Sequence, residues 1–174
     1  MAVLPVIIAP DPRLKVRCAP VKRVDDEVRR LMDDLLETMY SANGVGLAAP
    51  QVGIRRRVIV VDVAKVEQKP QPLCLANPEI AWASEETVAN EEGCLSFPDL
   101  YAEVARPAAV RVRFLDRNNE AREIEAKGIL STCVQHEMDH LEGVLFVDYL
   151  SFLKRNIILR KLAKMMKTTD KVAV

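Results

Sequence analysis

The segment His136-Glu137-Met138-Asp139-His140 constrains this chain more than any other, because it holds both of the chain's histidines, four residues apart. Side chains at that spacing lie on one face of an α-helix, where two imidazoles can bind one metal ion. Glu137 would then lie beside the ion, close enough to act as a base without being a ligand. The alternative interpretation is a solvated polar patch on a surface helix.

A hydrolytic metal site of this kind needs a third protein ligand and one open position. The motif continues with a glycine at Gly143, but Phe146 stands where a third histidine would complete it. The acids beyond Glu142 are Asp148, too near the motif, and Asp170, in the tail. The chain therefore offers neither a third histidine nor a suitably spaced carboxylate as the third ligand, and a cysteine thiolate is the best remaining metal-binding chemistry.

The chain has four cysteines, and two of them could reach the histidines. The two in ordinary apolar segments, typical of small buried hydrophobic residues, are Cys18 and Cys74. Cys133 lies one turn before the motif on the same helix face, where its backbone is fixed. Cys94 follows Gly93, which frees the backbone to aim a side chain across at the helix. Geometry therefore favours Cys94 as the third ligand and leaves Cys133 open.

Three segments together resemble the peptide deformylases. They are Gly44-Val45-Gly46-Leu47-Ala48-Ala49-Pro50-Gln51, Glu92-Gly93-Cys94-Leu95-Ser96 and the histidine motif. Each is complete and in the family's order, and the resemblance runs from about residue 5 to residue 150. It implies that Cys94, His136 and His140 bind one divalent metal ion, typically Fe²⁺, with Ni²⁺, Co²⁺ or Zn²⁺ able to substitute. It also implies the substrate, an N-formylmethionyl nascent polypeptide whose formyl group is released as formate.

The same resemblance implies roles for further residues. Glu137 would serve as general base and then as acid, while Gln51 and the backbone N–H of Leu95 would stabilise the oxyanion. Residues expected to bind the substrate, including a pocket for the methionine side chain, are Val45, Gly46, Gly93, Ile129 and Cys133. Metal-bound histidines usually donate their second N–H to an outer partner. The residues expected in that outer network are Glu92, Arg106 and Asp139.

Composition agrees with a compact enzyme in a reducing compartment. With 174 residues, 49% of them hydrophobic, residues 1–174 are expected to form a single catalytic domain with a proper core. Equal numbers of basic and acidic residues, 25 each, predict no general affinity for nucleic acid and no specific DNA partner. The absence of a secretory leader or an apolar run of spanning length predicts a cytoplasmic, bacterial-type protein with free thiols and no membrane contact.

Hydrophobic periodicity predicts an α+β fold. The resemblance refines this prediction to antiparallel β-sheets packed around a central metal-binding helix, with an N-terminal and a C-terminal helix. Predicted helices cover residues 25–41, 129–141 and about 151–167. Predicted strands cover Arg57–Val63, Leu73–Ala76, Ala109–Asp116 and Ala121–Ala126, the last two joined as a hairpin. Val66–Pro72 is predicted to be an exposed loop.

Two other function classes remain open on the sequence. A metalloprotease-like amidase with the same Cys/His/His site would cleave unformylated peptides. A non-catalytic metal-stabilised module is disfavoured, because such sites close with four protein ligands.

The C-terminal segment 151–167 carries several basic residues and no acid. It is expected either to pack on the domain with a solvated basic face or to dock on the ribosome through RNA phosphates.

Overall fold

Two antiparallel sheets and three α-helices make up the computed structural model, which describes the backbone of residues 1–172 and the side chains of residues 1–170. The helices are α1 (Asp26–Ser41), α2 (Gly128–Leu141) and α3 (Phe152–Val172). The strands are β1 (Gly46–Ala48), β2 (Val58–Val61), β3 (Leu73–Ala83), β4 (Thr87–Cys94), β5 (Phe97–Pro107), β6 (Ala109–Leu115) and β7 (Ala121–Lys127). Short 3₁₀ helices cover Pro12–Lys15, Ala49–Val52 and Phe146–Tyr149.

The five-stranded sheet has the order β1-β2-β3-β6-β7, and β4 pairs with β5 in a separate hairpin. All neighbours in both sheets are antiparallel. Helix α2 contacts β1, β2 and β7 of the larger sheet and also β5 of the hairpin. The predicted α+β arrangement around a central motif helix is thus confirmed.

Strand β2 shows how the larger sheet is buried on both faces. Its four side chains are fully buried, and they alternate between two cores because successive strand residues point to opposite faces. Val58 and Val60 join the core formed with α1, whereas Ile59 and Val61 join the core formed with α2. A third core lies between the β4–β5 hairpin, the 3₁₀ helix at Phe146–Tyr149 and α3.

Helix α1 forms where the apolar spacing places it. The Asp25 side chain accepts a hydrogen bond from Val28 N at 3.0 Å and caps the first turn. Met32, Leu35 and Met39 are fully buried on its inner face. The helix ends at Ser41, and Asn43, just past the C-cap, has a positive φ of 54° and takes the left-handed position that usually follows a helix.

Several strands differ from the sequence-based prediction. Strands β1, β4 and β5 were not predicted, and β3 continues past Ala76 to Ala83. Directly after β1, which ends at Ala48, the chain changes from a strand to a 3₁₀ turn over Ala49–Val52. Pro50 in the first positions of that turn explains the change, because its fixed φ suits a helical start.

Candidate metal centre

Helix α2 places His136, Glu137 and His140 in the interior, between the larger sheet and the hairpin. All three side chains are buried, and the two imidazole centroids are 5.1 Å apart. The helix ends at Leu141, one residue after His140, in a Schellman motif: Gly143 N donates to His140 O, and Val144 N donates to Asp139 O. Gly143 has a φ of +72°, so it permits the left-handed turn that this ending requires.

The end of β4 brings Cys94 to these histidines. The ligand-type atoms of Cys94, His136 and His140 all lie within 4.8 Å of one another, and Cys94 Sγ is 3.4 Å from His140 Nε2. One thiolate and two imidazoles at this separation are a suitable ligand set for a transition-metal ion. This cluster is compatible with a single bound metal ion.

Cys133 lies near the cluster but outside it. Its Sγ donates to Val45 O at 3.5 Å, and burial raises the pKa of the Cys133 thiol well above its ordinary value, which favours the protonated form. The structure therefore groups Cys94, not Cys133, with the two histidines.

A buried ionic network surrounds His136. His136 Nδ1 and Glu92 Oε1 are 2.9 Å apart, which leaves Nε2 of the imidazole facing the cluster. Arg106 donates twice to Glu92, at 2.6 and 2.9 Å, and once to Asp139 Oδ2, at 2.8 Å. Tyr149 also donates to Asp139 Oδ2, at 2.7 Å, and Arg106 lies over its ring. The predicted outer residues thus form one network, and Tyr149 is a member that no sequence spacing indicated.

The charges of this network depend on one another. Burial opposes ionisation of Glu92, but hydrogen bonds from His136 and Arg106 outweigh that effect and lower the pKa of Glu92. Burial likewise disfavours a charged Arg106, yet its bonds to Glu92 and Asp139 raise the pKa of its guanidinium. Both groups are therefore ionised, and the Glu92 carboxylate holds His136 in a fixed orientation.

Glu137 stands apart because one of its carboxylate oxygens has no partner. Among the described residues, Glu137 Oε2 is buried and accepts no hydrogen bond. Burial raises the pKa of Glu137 to about 7, although the charges of His136 and Arg106 oppose the shift. A carboxyl group with that pKa can both take and return a proton near neutral pH.

Gln51 is fixed by hydrogen bonds at both ends of its amide. Its Oε1 accepts from Ala48 N at 2.9 Å, and its Nε2 donates to Ser96 Oγ at 3.1 Å and to Cys94 Sγ at 3.5 Å. Leu95 lies between the two strands of the hairpin, one residue beyond Cys94. The sequence analysis assigned no role at the site to Ser96. Its position as the last residue of the Glu92-Gly93-Cys94-Leu95-Ser96 motif is the sequence feature that could have indicated one.

A cleft of about 460 Å³ opens beside Cys94 and Glu137, within the size range of small-molecule sites. Of the five residues predicted to bind substrate, those that line it are Val45, Gly46 and Gly93. Ile129 does not line it and is 69% exposed on the first turn of α2. Cys133 does not line it either; it is buried, and its Sγ donates to Val45 O.

A sequence profile of the polypeptide deformylase family matches residues 3–156. The chain belongs to the peptide deformylase family. A peptide deformylase of Methylocella silvestris is 59% identical over 170 residues, covering 96% of this chain and 87% of that protein. One of Rhizobium meliloti is 51% identical over the full length of both. A crystal structure of peptide deformylase from Ehrlichia chaffeensis superposes with a TM-score of 0.92 at 39% identity, covering 97% of this chain and 99% of that one.

Membership of the peptide deformylase family settles the class of reaction. The chain is a metal-dependent hydrolase that removes the formyl group from N-formylmethionine peptides, a step in protein biosynthesis. The metalloprotease-like alternative is not favoured by these relatives. None of the described helices is long and apolar enough to cross a bilayer.

Proposed function

We propose that Cys94, His136 and His140 hold one divalent metal ion and that Glu137 is the general base in deformylation. The observation that carries this proposal is the cluster of three ligand-type atoms within 4.8 Å, with the unpartnered oxygen of Glu137 buried on the same helix. A divalent ion held there supplies Lewis acidity, which polarises the formyl carbonyl and makes water acidic enough to lose a proton at neutral pH.

The proton path begins and ends at Glu137. Its free Oε2 takes a proton from the attacking water as the oxygen bonds to the formyl carbon. The same carboxyl group then returns the proton to the methionine nitrogen as the carbon–nitrogen bond breaks, so that formate and a free amino terminus result. Burial raises the pKa of the Glu137 carboxyl above that of a carboxyl in water, which suits a group that must both take and return the proton.

Gln51 Nε2 and the backbone N–H of Leu95 are proposed as the donors that stabilise the oxyanion. The amide of Gln51 cannot rotate freely, since Ala48 N fixes its Oε1. Its Nε2 is therefore held towards Cys94 before any substrate arrives. Donors oriented in advance contribute to catalysis because they do not have to reorganise during the reaction.

The substrate is proposed to lie in the cleft beside Cys94. Val45, Gly46 and Gly93 line it and would contact the peptide backbone and the methionine chain. Cys133 would act from below, as support for the Val45 segment. Ile129 would contact only a part of the substrate that extends over the first turn of α2, since its side chain is exposed there.

Ferrous iron is proposed as the native ion, with Ni²⁺, Co²⁺ or Zn²⁺ as substitutes. The mixed thiolate and imidazole ligands accept all four metals. Metal analysis of anaerobically purified protein, with formate release measured in parallel, tests the choice. Peroxide should abolish formate release by the iron form and spare a nickel form, because ferrous iron beside Cys94 promotes oxidation of the site. Equal sensitivity of both forms would count against iron.

The decisive test of the reaction compares a formylated peptide with its unformylated twin. Formate release from the first, with no cleavage of the second, is the expected result. Cleavage of an internal peptide bond in either would restore the amidase alternative.

Residues 1–174 are proposed to act as one domain in the cytoplasm, where nascent chains are made and free thiols persist. The four cysteines form no disulfide. A single cooperative thermal transition and recovery in the cytosolic fraction are expected.

The basic C-terminal helix is further proposed to dock on the ribosome, and α3 does present basic side chains to solvent.

A further inference from the structure

Side-chain contacts join β4 to α2 at three regularly spaced points. The pairs are Asn90 Nδ2 with Thr132 Oγ1 at 3.1 Å, Glu92 Oε1 with His136 Nδ1 at 2.9 Å, and Cys94 Sγ with His140 Nε2 at 3.4 Å. Each step is two residues along the strand and four along the helix. Two strand residues span roughly 6.7 Å and four helix residues rise about 6.0 Å, so the contacts stay in step over three pairs. The strand therefore runs parallel to the helix with a defined register.

The Asn90–Thr132 pair is the one of the three that contains no proposed ligand. Its members lie four residues before Cys94 and four before His136, and neither lines the cleft. Asn90 is exposed and Thr132 is half-buried, whereas Glu92 is buried. The pair is a hydrogen bond between two neutral groups, so it adds no charge to the metal centre. Its contribution to the site must therefore come from where it holds β4 on the helix.

The first half of β4 has little support from packing. The strand belongs to a hairpin that is separate from the larger sheet, and all of its residues from Thr87 to Glu91 are exposed. Such a segment buries little apolar surface and opens easily. Among the hydrogen bonds of the described side chains, that of Asn90 is the one that joins this half of β4 to α2. Its loss would leave β4 free to shift on the helix as far as Glu92.

We propose that Asn90 and Thr132 are positioning residues, which fix the register of β4 on α2 and so set how Cys94 approaches the metal ion. The inference rests on the ligand set proposed above. Asn90 and Cys94 lie on the same face of β4, because side chains two and four residues apart in a strand point the same way. A shift of the strand at Asn90 therefore displaces Cys94, and metal–ligand distances tolerate only about 0.2 Å. His136 and His140 are carried by α2 itself and would keep their positions.

A cobalt-loaded protein reports the Cys94 bond separately from the histidines, since absorption by thiolate-to-Co²⁺ charge transfer needs a sulfur ligand. We would measure this band and the rate at which excess EDTA removes it. Thr132→Val is expected to weaken or shift the band and to speed cobalt release about threefold or more, because valine keeps the shape of the side chain and loses the hydrogen bond. Thr132→Ser, which keeps the hydroxyl group, should retain wild-type values. An unchanged band and release rate in Thr132→Val would overturn the positioning role, whereas a wild-type protein without the band would overturn the proposed ligand set.

Further variants assign the effect to the pair. Thr87→Val is the matched control, because it makes the same exchange at an exposed position of β4 on the face opposite Asn90, and it should leave both values unchanged. Asn90→Ala combined with Thr132→Val should release cobalt no faster than either single variant, because both changes remove the same hydrogen bond. Equal acceleration in Thr87→Val, or effects that multiply in the double variant, would contradict the proposal. A raised KM with an unchanged band would assign the pair to substrate contact and so also overturn the positioning role.

Discussion

At the scale of single residues, the proposed base Glu137 is buried, and its Oε2 has no hydrogen-bond partner among the described residues. We expect Glu137→Gln to lower kcat about 10²–10⁴-fold while the protein keeps its metal, because the change removes the proposed base and leaves the three proposed ligands. Formate release and metal content are measured on the same sample. Glu91→Gln, on the exposed face of β4, is the control for loss of a carboxylate. Turnover near the wild-type rate in Glu137→Gln would rule out the proposed base.

The two cysteines near the site allow a matched comparison. Cys94→Ala is expected to lose both bound metal and activity, because it deletes a member of the ligand cluster. Cys133→Ala should keep the metal, since within the described side chains its thiol hydrogen-bonds to Val45 O alone and the main loss is packing. Metal stoichiometry after dialysis against a weak chelator distinguishes them. The reverse pattern, with metal lost only in Cys133→Ala, would show that the ligand assignment is wrong.

Gly46 shows why the site tolerates so little change around Glu137. A Cβ at this position would lie 2.5 Å from Glu137 Oε1 and 2.9 Å from Cys133 Sγ. We expect Gly46→Ala to displace the carboxylate and lower kcat by at least tenfold with metal content unchanged. Gly44→Ala is a softer control, because its Cβ would meet the flexible end of the Leu95 side chain. If Gly46→Ala retained full activity, the carboxylate could not depend on this contact.

At the scale of elements, the ends of α2 are set by two left-handed glycines. Gly128 has a φ of +59°, and apart from its own helix backbone and chain neighbours no described residue lies within 4 Å of the position that a Cβ would take, whereas a Cβ on Gly143 would lie 2.6 Å from the backbone of Lys15. Gly128→Ala should cost about 1–2 kcal/mol of unfolding free energy, the usual penalty of the left-handed conformation. Gly143→Ala should cost at least about 1 kcal/mol more, because the N-terminal segment must move. Denaturant unfolding measures both, and equal losses would exclude the backbone clash.

The helices were predictable because their signals are local. Asp25 caps α1 and Ser151 caps α3, where Lys154 N donates to Ser151 Oγ at 3.3 Å. The hairpin strands β4 and β5 were not predictable, since β4 exposes nearly every residue and shows no alternation of polar and apolar side chains. The pairing of β4 with β5 has a register shift between Gly93 and Cys94, and no pattern within either strand indicates that shift.

The site was predictable only in part for the same reason. The spacing of His136 and His140 identifies a helix face directly. The approach of Cys94 depends on a hairpin that has no local signal, so the residues left Cys133 open until the family resemblance was considered. Tyr149 and Ser96 join the site through contacts between distant segments, and no spacing within the chain indicates such contacts.

At the scale of the whole molecule, α3 joins the fold by one side only. Ile158 and Leu162 are buried in the third core, with Leu159 and Met165 packed against it. Among the described side chains of α3, the large apolar residues that remain exposed are Phe152, Leu153, Ile157 and Met166. The apolar residues of α3 are thus divided between the core and the solvent. A truncation near Leu150 would therefore remove core residues as well as charge.

A sharper test of ribosome docking keeps the helix and removes only exposed charge. We expect Arg160→Gln with Lys161→Gln and Lys164→Gln to reduce ribosome co-sedimentation without lowering Tm, because all three side chains are exposed. Each cation that contacts a phosphate should contribute about one unit to the slope of log K against log salt.

The matched control for that test is a second triple variant with the same loss of charge, at exposed positions away from α3. It combines Lys22→Gln, Lys65→Gln and Lys69→Gln. If docking follows the basic face of α3, only the first triple variant loses affinity and salt dependence, because RNA phosphates attract charge where it is concentrated. Equal losses in both would indicate a non-specific charge effect, and no loss in either would leave α3 with a packing role alone.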